Sequence, residues 1–314
     1  MDWNKPIEIG GVQTRGRVFL APLAGYTNYP FRLLAKECGA GLCFSEMVSA
    51  KGLKYGNENT RELLYTTEEE GVTAAQLFGN DPEILRAACE SEELAKFPIV
   101  DLNMGCPVPK IYKNGEGSAL LETPRLAEKI VEECVKSGKV ITVKFRIGID
   151  ENRLITAEFA KRMAGAGASL LTIHGRTKAK VYSGEVNYKE IATAKNAVSI
   201  PVIANGGVFS VLDGEKLMQE TGADGIMIAR AALFDPQIFC EFSGKQRKSK
   251  YEAFAFQMEK TKELFNEHFT TVFMRKMGAF YIKGGRGAAS FKERFFSANT
   301  PEEVLAVAKE AFQK

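Results

Sequence analysis

Cys106 is the first residue whose type and setting point to chemistry. It stands in NMGCPVPK, flanked by Gly105 and Pro107, just after the apolar run IVDLNMG at 99–105. A thiol of ordinary pKa, about 8.5, stays mostly protonated near neutral pH and can donate a proton as a general acid. The other cysteines, at 38, 43, 89, 134 and 240, read as small apolar fillers. Lys144 is the second such residue. It interrupts VITVKFRIG at 140–148, where an ammonium without a partner is costly to bury, so an anionic ligand at the strand end would supply one. Gly206 and Gly207, in IPVIANGGV, let a backbone approach a ligand closely, and Arg230, in GIMIARAAL, can grip phosphate with two hydrogen bonds. Taken singly, each is as readily a structural residue. Together with Gln76, they suggest a phosphorylated planar cofactor such as FMN. Lys144 would stabilise charge on its reduced ring, and Gln76 would meet its pyrimidine edge.

Eight elements must position these side chains. Apolar runs begin at 18, 42, 73, 99, 140, 170, 201 and 225, each short and continuously apolar. Such runs read as strands buried on both faces. Between them lie helical patterns such as 124–138 and 157–168. Eight strand–helix repeats predict an α/β fold, a (β/α)8 TIM barrel, whose active site lies at the C-terminal strand ends. Ser45, Glu46, Gln76, Asn103, Cys106, His174, Asn205 and Arg230 all fall there, and Lys144 sits within strand 5. No GxGxxG follows the first strand, which disfavours an open dinucleotide-binding sheet. After residue 240 the strand-like runs stop. Residues 250–282 and 301–313 look helical, with GKQRKSK at 244–250 as a basic linker. The expected division is a catalytic barrel over 1–240 and a small helical domain over 241–314.

Charge is unevenly distributed. The chain nets +3, yet residues 245–294 hold 12 Lys+Arg against 5 Asp+Glu. A near-neutral body with a basic tail suggests a polyanionic partner, although a solvated lysine-rich helical surface would give the same count. No apolar run is long enough to span a membrane. The N-terminus has no apolar signal core. Two histidines and six scattered cysteines without CxxC disfavour a metal site and fit a reducing, cytoplasmic setting.

The motifs as a set resemble the dihydrouridine synthase family. APLAGYTNYPFR (21–32) is similar to its first-strand motif, and NMGCPVPKIYKNGEGSALL (103–121) to its catalytic loop. HGRT (174–177), IPVIANGGV, GADGIMIARAAL and the late MRK complete the likeness, closest to the bacterial branch. The resemblance implies FMN held by Pro22, Leu23 and Ala24, by Gln76, Lys144 and His174, by Asn205, Gly206 and Gly207, and by Ala229 with Arg230. It implies NADPH as reductant, and a uridine in folded RNA as substrate. That RNA would be tRNA, with ribosomal RNA the other candidate. Cys106 would protonate C5. Asn103 and Arg176 would face the substrate nucleotide. Arg275, Lys276, Lys283 and Arg286 are the expected phosphate contacts, with Lys292 and Arg294 beside them. A monomer is expected. Two positions depart from the family: Asn28 replaces the usual Asp, and Met277 replaces the usual His after RK. The helical domain is also shortened just upstream of MRK. The rival readings are an FMN barrel acting on a free pyrimidine, and a flavin-bearing RNA-binding protein without turnover.

Overall fold

A computed structural model describes residues 1–312. Eight parallel strands close a barrel in sequential order. They are β1 (Val18–Leu20), β2 (Leu42–Ser49), β3 (Thr73–Phe78), β4 (Ile99–Met104), β5 (Val140–Arg146), β6 (Leu170–His174), β7 (Val202–Asn205) and β8 (Gly225–Ile228). Closure comes from β8 against β1, with Ile226 opposite Val18 and Ile228 opposite Leu20. All eight expected strands are present, and Ser45, Glu46, Gln76, Asn103, Lys144, His174 and Asn205 lie within them. Cys106 and Arg230 follow the ends of β4 and β8. A short antiparallel hairpin, Glu8–Ile9 with Val12–Gln13, precedes the barrel and was not expected. Ile9 is fully buried and joins Phe19, Leu42, Phe44, Ile99 and Leu170 in the cluster that fills the barrel interior. Two-residue strands carry too little periodicity to be read.

The helix Tyr29–Glu37 anchors the loop that follows β1. Asn28 caps it, its side-chain oxygen accepting from Phe31 N at 3.3 Å. Arg32 on this helix is wholly buried against Glu70, with Nε–Oε1 2.6 Å and Nη2–Oε2 3.0 Å. It also donates to the carbonyls of Thr27 and Tyr65, at 3.0 and 2.8 Å. Deleting one member of such a pair leaves a buried charge without its counter-ion. Glu70→Ala is therefore expected to lower unfolding stability by about 3–5 kcal/mol, measured as a shift of the urea transition. A loss below about 1 kcal/mol, the value of a surface pair, would contradict this.

Beyond the barrel, the stretch expected to be helical over 250–282 forms two helices, Lys250–Leu264 and Glu267–Tyr281. Asn266 divides them, its side chain accepting from Phe269 N at 2.8 Å and starting a new helix. Ala288–Ser297 and Pro301–Phe312 complete the bundle. Phe254, Tyr281, Phe295 and Phe312 form its aromatic core. Met277 is fully buried, so the departure at this position is apolar packing. Next to it, a Cβ at Gly278 would lie 2.5 Å from Phe295, which requires glycine. The expected division after residue 240 falls inside the helix Ile238–Ser243. The chain leaves regular structure only over 244–249. No described helix is long and apolar enough to cross a membrane.

Candidate active site

The C-terminal strand ends open into a cleft of about 330 Å³. Every residue expected to hold the cofactor lines it, from Pro22 after β1 to Arg230 after β8, together with Asn103, Cys106 and Arg176. Arg275, Lys276, Lys283 and Arg286 are not among its lining residues.

Its floor is a hydrogen-bonded ladder across neighbouring strands. Gln76 on β3 stands opposite Asp101 on β4, which stands opposite Thr142 on β5. Gln76 Nε2 donates to Asp101 Oδ2 at 2.7 Å, and Thr142 Oγ1 donates to Asp101 Oδ1 at 2.6 Å. Burial pushes the Asp101 carboxyl up, against those two hydrogen bonds and the nearby Lys144. Lys144 is pushed down, by burial first and by Arg146, with Asp101 opposing. Its ammonium makes no hydrogen bond to any described residue. The charge therefore stays available to whatever enters the cleft.

Asn103 connects this ladder to Cys106. Its Nδ2 donates to Gln76 Oε1 at 2.8 Å, while its Oδ1 accepts from the amides of Gly105 (3.1 Å) and Cys106 (2.9 Å). Ser118 holds the loop from the other side, donating to Cys106 O through its amide at 3.1 Å and its hydroxyl at 2.8 Å. Asn103 therefore acts as a positioning residue for the thiol as well as lining the cleft. Burial raises the Cys106 pKa, opposed by the amide of Val108 and the charges of Arg146 and Lys144. The thiol is protonated at neutral pH.

Arg146 was missed as a site residue. It is almost fully buried and donates to Gly105 O (2.8 Å), Thr177 O (3.1 Å) and Val181 O (2.8 Å). One guanidinium so ties the Cys106 loop to the loop after β6. Val181 takes a positive φ of 49° there, a strained state for a β-branched residue that the Arg146 contact helps to hold. The next residue, Tyr182, is exposed at the cleft rim between Arg146 and Arg230. A signal for Arg146 was legible: in a strand it shares a face with Lys144, two residues earlier.

His174 is held well below its usual pKa by burial, then by Arg146, Lys144, Arg176 and Arg230. Its ring is neutral. Arg176 Nη1 lies 3.4 Å from His174 Nε2. Arginine can only donate, so that nitrogen is the acceptor. Asn205 donates to Met227 O at 2.8 Å, fixing the turn into Gly206 and Gly207. Their φ values of 125° and 75° are open to glycine, and a Cβ on Gly206 would crowd His174 at 3.1 Å. Arg230 opens the helix Arg230–Phe234 and faces the rings of Tyr182 and Phe209 at 5.2 and 5.6 Å. It makes no hydrogen bond to any described residue.

At the mouth, the Gly25 peptide is gripped from both sides. Its N–H donates to the buried Glu46 carboxylate, and its carbonyl accepts from Lys276 Nζ at 2.5 Å. Lys276 also lies 4.3 Å from the Tyr26 ring. Arg275 points to Asn299 at 3.3 Å. Their contacts thus fasten the helix Glu267–Tyr281 to the barrel and to its own bundle. Much of the remaining basic excess is also paired: Arg247 with Asp235 and Glu241, Lys248 with Glu37, Lys262 with Glu302, and Arg294 with Glu310. Lys283, Arg286 and Lys292 form no ion pair with any described residue. Charge counting cannot see partners, so it overstated the free basic surface.

Among the described residues, no group of three or more His, Cys, Asp or Glu side chains is arranged to hold a metal. The barrel is similar to solved flavoenzyme structures. The old yellow enzyme homologue from Zymomonas mobilis matches with TM-score 0.57 at 14% identity, covering 81% of this chain and 96% of that one. Morphinone reductase matches with TM-score 0.56 at 12% identity, covering 76% and 89%. These likenesses show the fold alone. Sequence relatives say more. The probable tRNA-dihydrouridine synthase 1 of Synechocystis is 36% identical, over 96% of this chain and 88% of its own. The tRNA-dihydrouridine synthase B of Pasteurella multocida is 34% identical, over 98% and 95%. That of Escherichia coli is 39% identical, over 75% and 74%. The family model described as dihydrouridine synthase matches residues 19–314. By full-length kinship and by the cleft that those motifs build, the chain belongs to the dihydrouridine synthase family.

Proposed function

We propose that this chain is a flavin-dependent oxidoreductase that reduces the C5–C6 double bond of uridine in folded tRNA to dihydrouridine, with NADPH as reductant. The observation carrying this reading is one cleft that joins two uncommitted cations, Lys144 and Arg230, to the protonated thiol of Cys106. FMN fits the residues present. Gly206, Gly207 and Arg230 form a seat for its phosphate, because the glycine backbone is bare and the guanidinium has donors to give. Lys144 opposes negative charge on the ring, and Gln76 and the neutral His174 offer hydrogen bonds to its polar edge. Pro22, Leu23, Ala24 and Ala229 shape the walls, and Asn205 sets the turn. When bound, the flavin supplies the hydride, taken from NADPH, that adds to uracil C6.

The rest is work for the protein. Cys106 gives its proton to C5, and the thiolate left behind lies in the field of Arg146 and Lys144. Arg176 holds His174 and faces the incoming nucleotide. The barrel, residues 1–240, forms the catalytic unit, and the helices beyond 241 contact the RNA. Lys283 and Arg286 are better placed for that contact than Arg275 and Lys276, which are engaged within the protein. In this reading the protein acts as a monomer. The purified protein is expected to be yellow and to release one FMN per chain on heat denaturation, identified by mass. A colourless protein that takes up no added FMN would overturn the reading.

Asn103 gives a separate test. Asn103→Ala frees the Gly105 and Cys106 amides and should slow uridine reduction by about ten- to a hundredfold, the usual consequence of a displaced catalytic group. FMN occupancy should hold. Parallel loss of FMN would show that Asn103 serves the cofactor and not the thiol.

A further inference from the structure

A base inside folded RNA reaches this cleft only after unstacking, and its neighbours then need support. Phe209 is 47% exposed on the cleft rim. It is not an isolated surface ring. Phe209 and Phe234 lie nearly parallel, centroids 6.3 Å apart and planes 17° apart. Phe234 continues to Phe280 at 6.1 Å and 28°, and Phe280 meets Tyr26 edge-on at 5.3 Å. The row runs from the cleft to the helix Glu267–Tyr281. Lys283 Nζ stands 4.1 Å from the Phe234 ring, with Arg286 exposed close by in the chain. Flat rings interleaved with unpaired cations match unstacked nucleotides, whose bases stack on rings while their phosphates meet cations.

We propose that Phe209 is a stacking platform for a nucleobase flanking the target uridine, with Lys283 at that nucleotide's phosphate. The proposal rests on the functional reading above. It separates a ring-specific contribution, which is insensitive to salt, from an ionic one.

The test is tRNA binding to the flavin-loaded protein by filter retention across a salt series, with dihydrouridine formation followed in parallel. Phe209→Leu keeps apolar bulk but loses the flat ring, and should weaken binding about tenfold, within the range for one base–aromatic stack. Its salt slope should match that of the unaltered protein. Phe209→Trp should bind within about twofold of the unaltered protein, which also controls for folding. Lys283→Ala should lower the log–log salt slope by about one unit. Binding of Phe209→Leu equal to that of the unaltered protein would overturn the proposal, as would an equal loss in Phe209→Trp. The functional reading fails differently: the unaltered protein would then form no dihydrouridine, whatever the binding series shows.

Discussion

Cys106→Ala is expected to retain FMN and oxidise NADPH at nearly the unaltered rate while reducing uridine in tRNA about a hundredfold or more slowly. The asymmetry follows from where the thiol acts. NADPH oxidation needs no proton at uracil C5, whereas saturation of the C5–C6 bond does. The loop carrying Cys106 is held through its backbone, by Asn103, Ser118 and Arg146. Loss of the Sγ atom leaves those bonds in place. Single-turnover reduction by the preloaded enzyme, read as dihydrouridine by mass spectrometry, gives the rate. An equal fall in NADPH oxidation would place Cys106 in the cofactor's support instead.

The second large effect concerns the cations. Lys144→Ala with Arg230→Ala should give folded protein with little or no bound flavin. Both side chains face the cleft without a hydrogen bond from the protein, so their removal breaks no described protein hydrogen bond or ion pair. Burial already works against the Lys144 charge, and its loss relieves the fold of that penalty. The melting temperature of the double variant without FMN should equal or exceed that of the stripped parent protein. Full flavin occupancy in the double variant would mean that both the phosphate seat and the ring contact are misassigned.

Much of this architecture was legible because a parallel barrel writes itself plainly into sequence. Its strands are buried on both faces, so each is a short apolar run, and its polar side chains collect where those runs end. That is why Gln76, Lys144, His174 and Arg230 converge as the order of strands implied. Asp101 and Arg146 escaped notice inside runs already read as strands. Their roles depend on cross-strand partners, Gln76 and Thr142 for one and three loop carbonyls for the other. Which cations of the basic tail already have partners was hidden for a related reason. Lys276 and Arg294 count as positive in any tally, yet one grips Gly25 and the other Glu310. The departures from the family pattern resolve locally: Asn28 serves as a helix cap and Met277 as core.

Reduction of uridine within RNA can be followed by mass. Transfer RNA from cells lacking dihydrouridine is incubated with the purified protein and NADPH, then digested and weighed, with free uridine and uracil in parallel reactions. A gain of two hydrogens at discrete uridine positions in the tRNA is expected, with no comparable turnover of the free compounds. Reduction of free uracil or uridine with unmodified tRNA would contradict it and favour a small-molecule pyrimidine reductase on the same barrel.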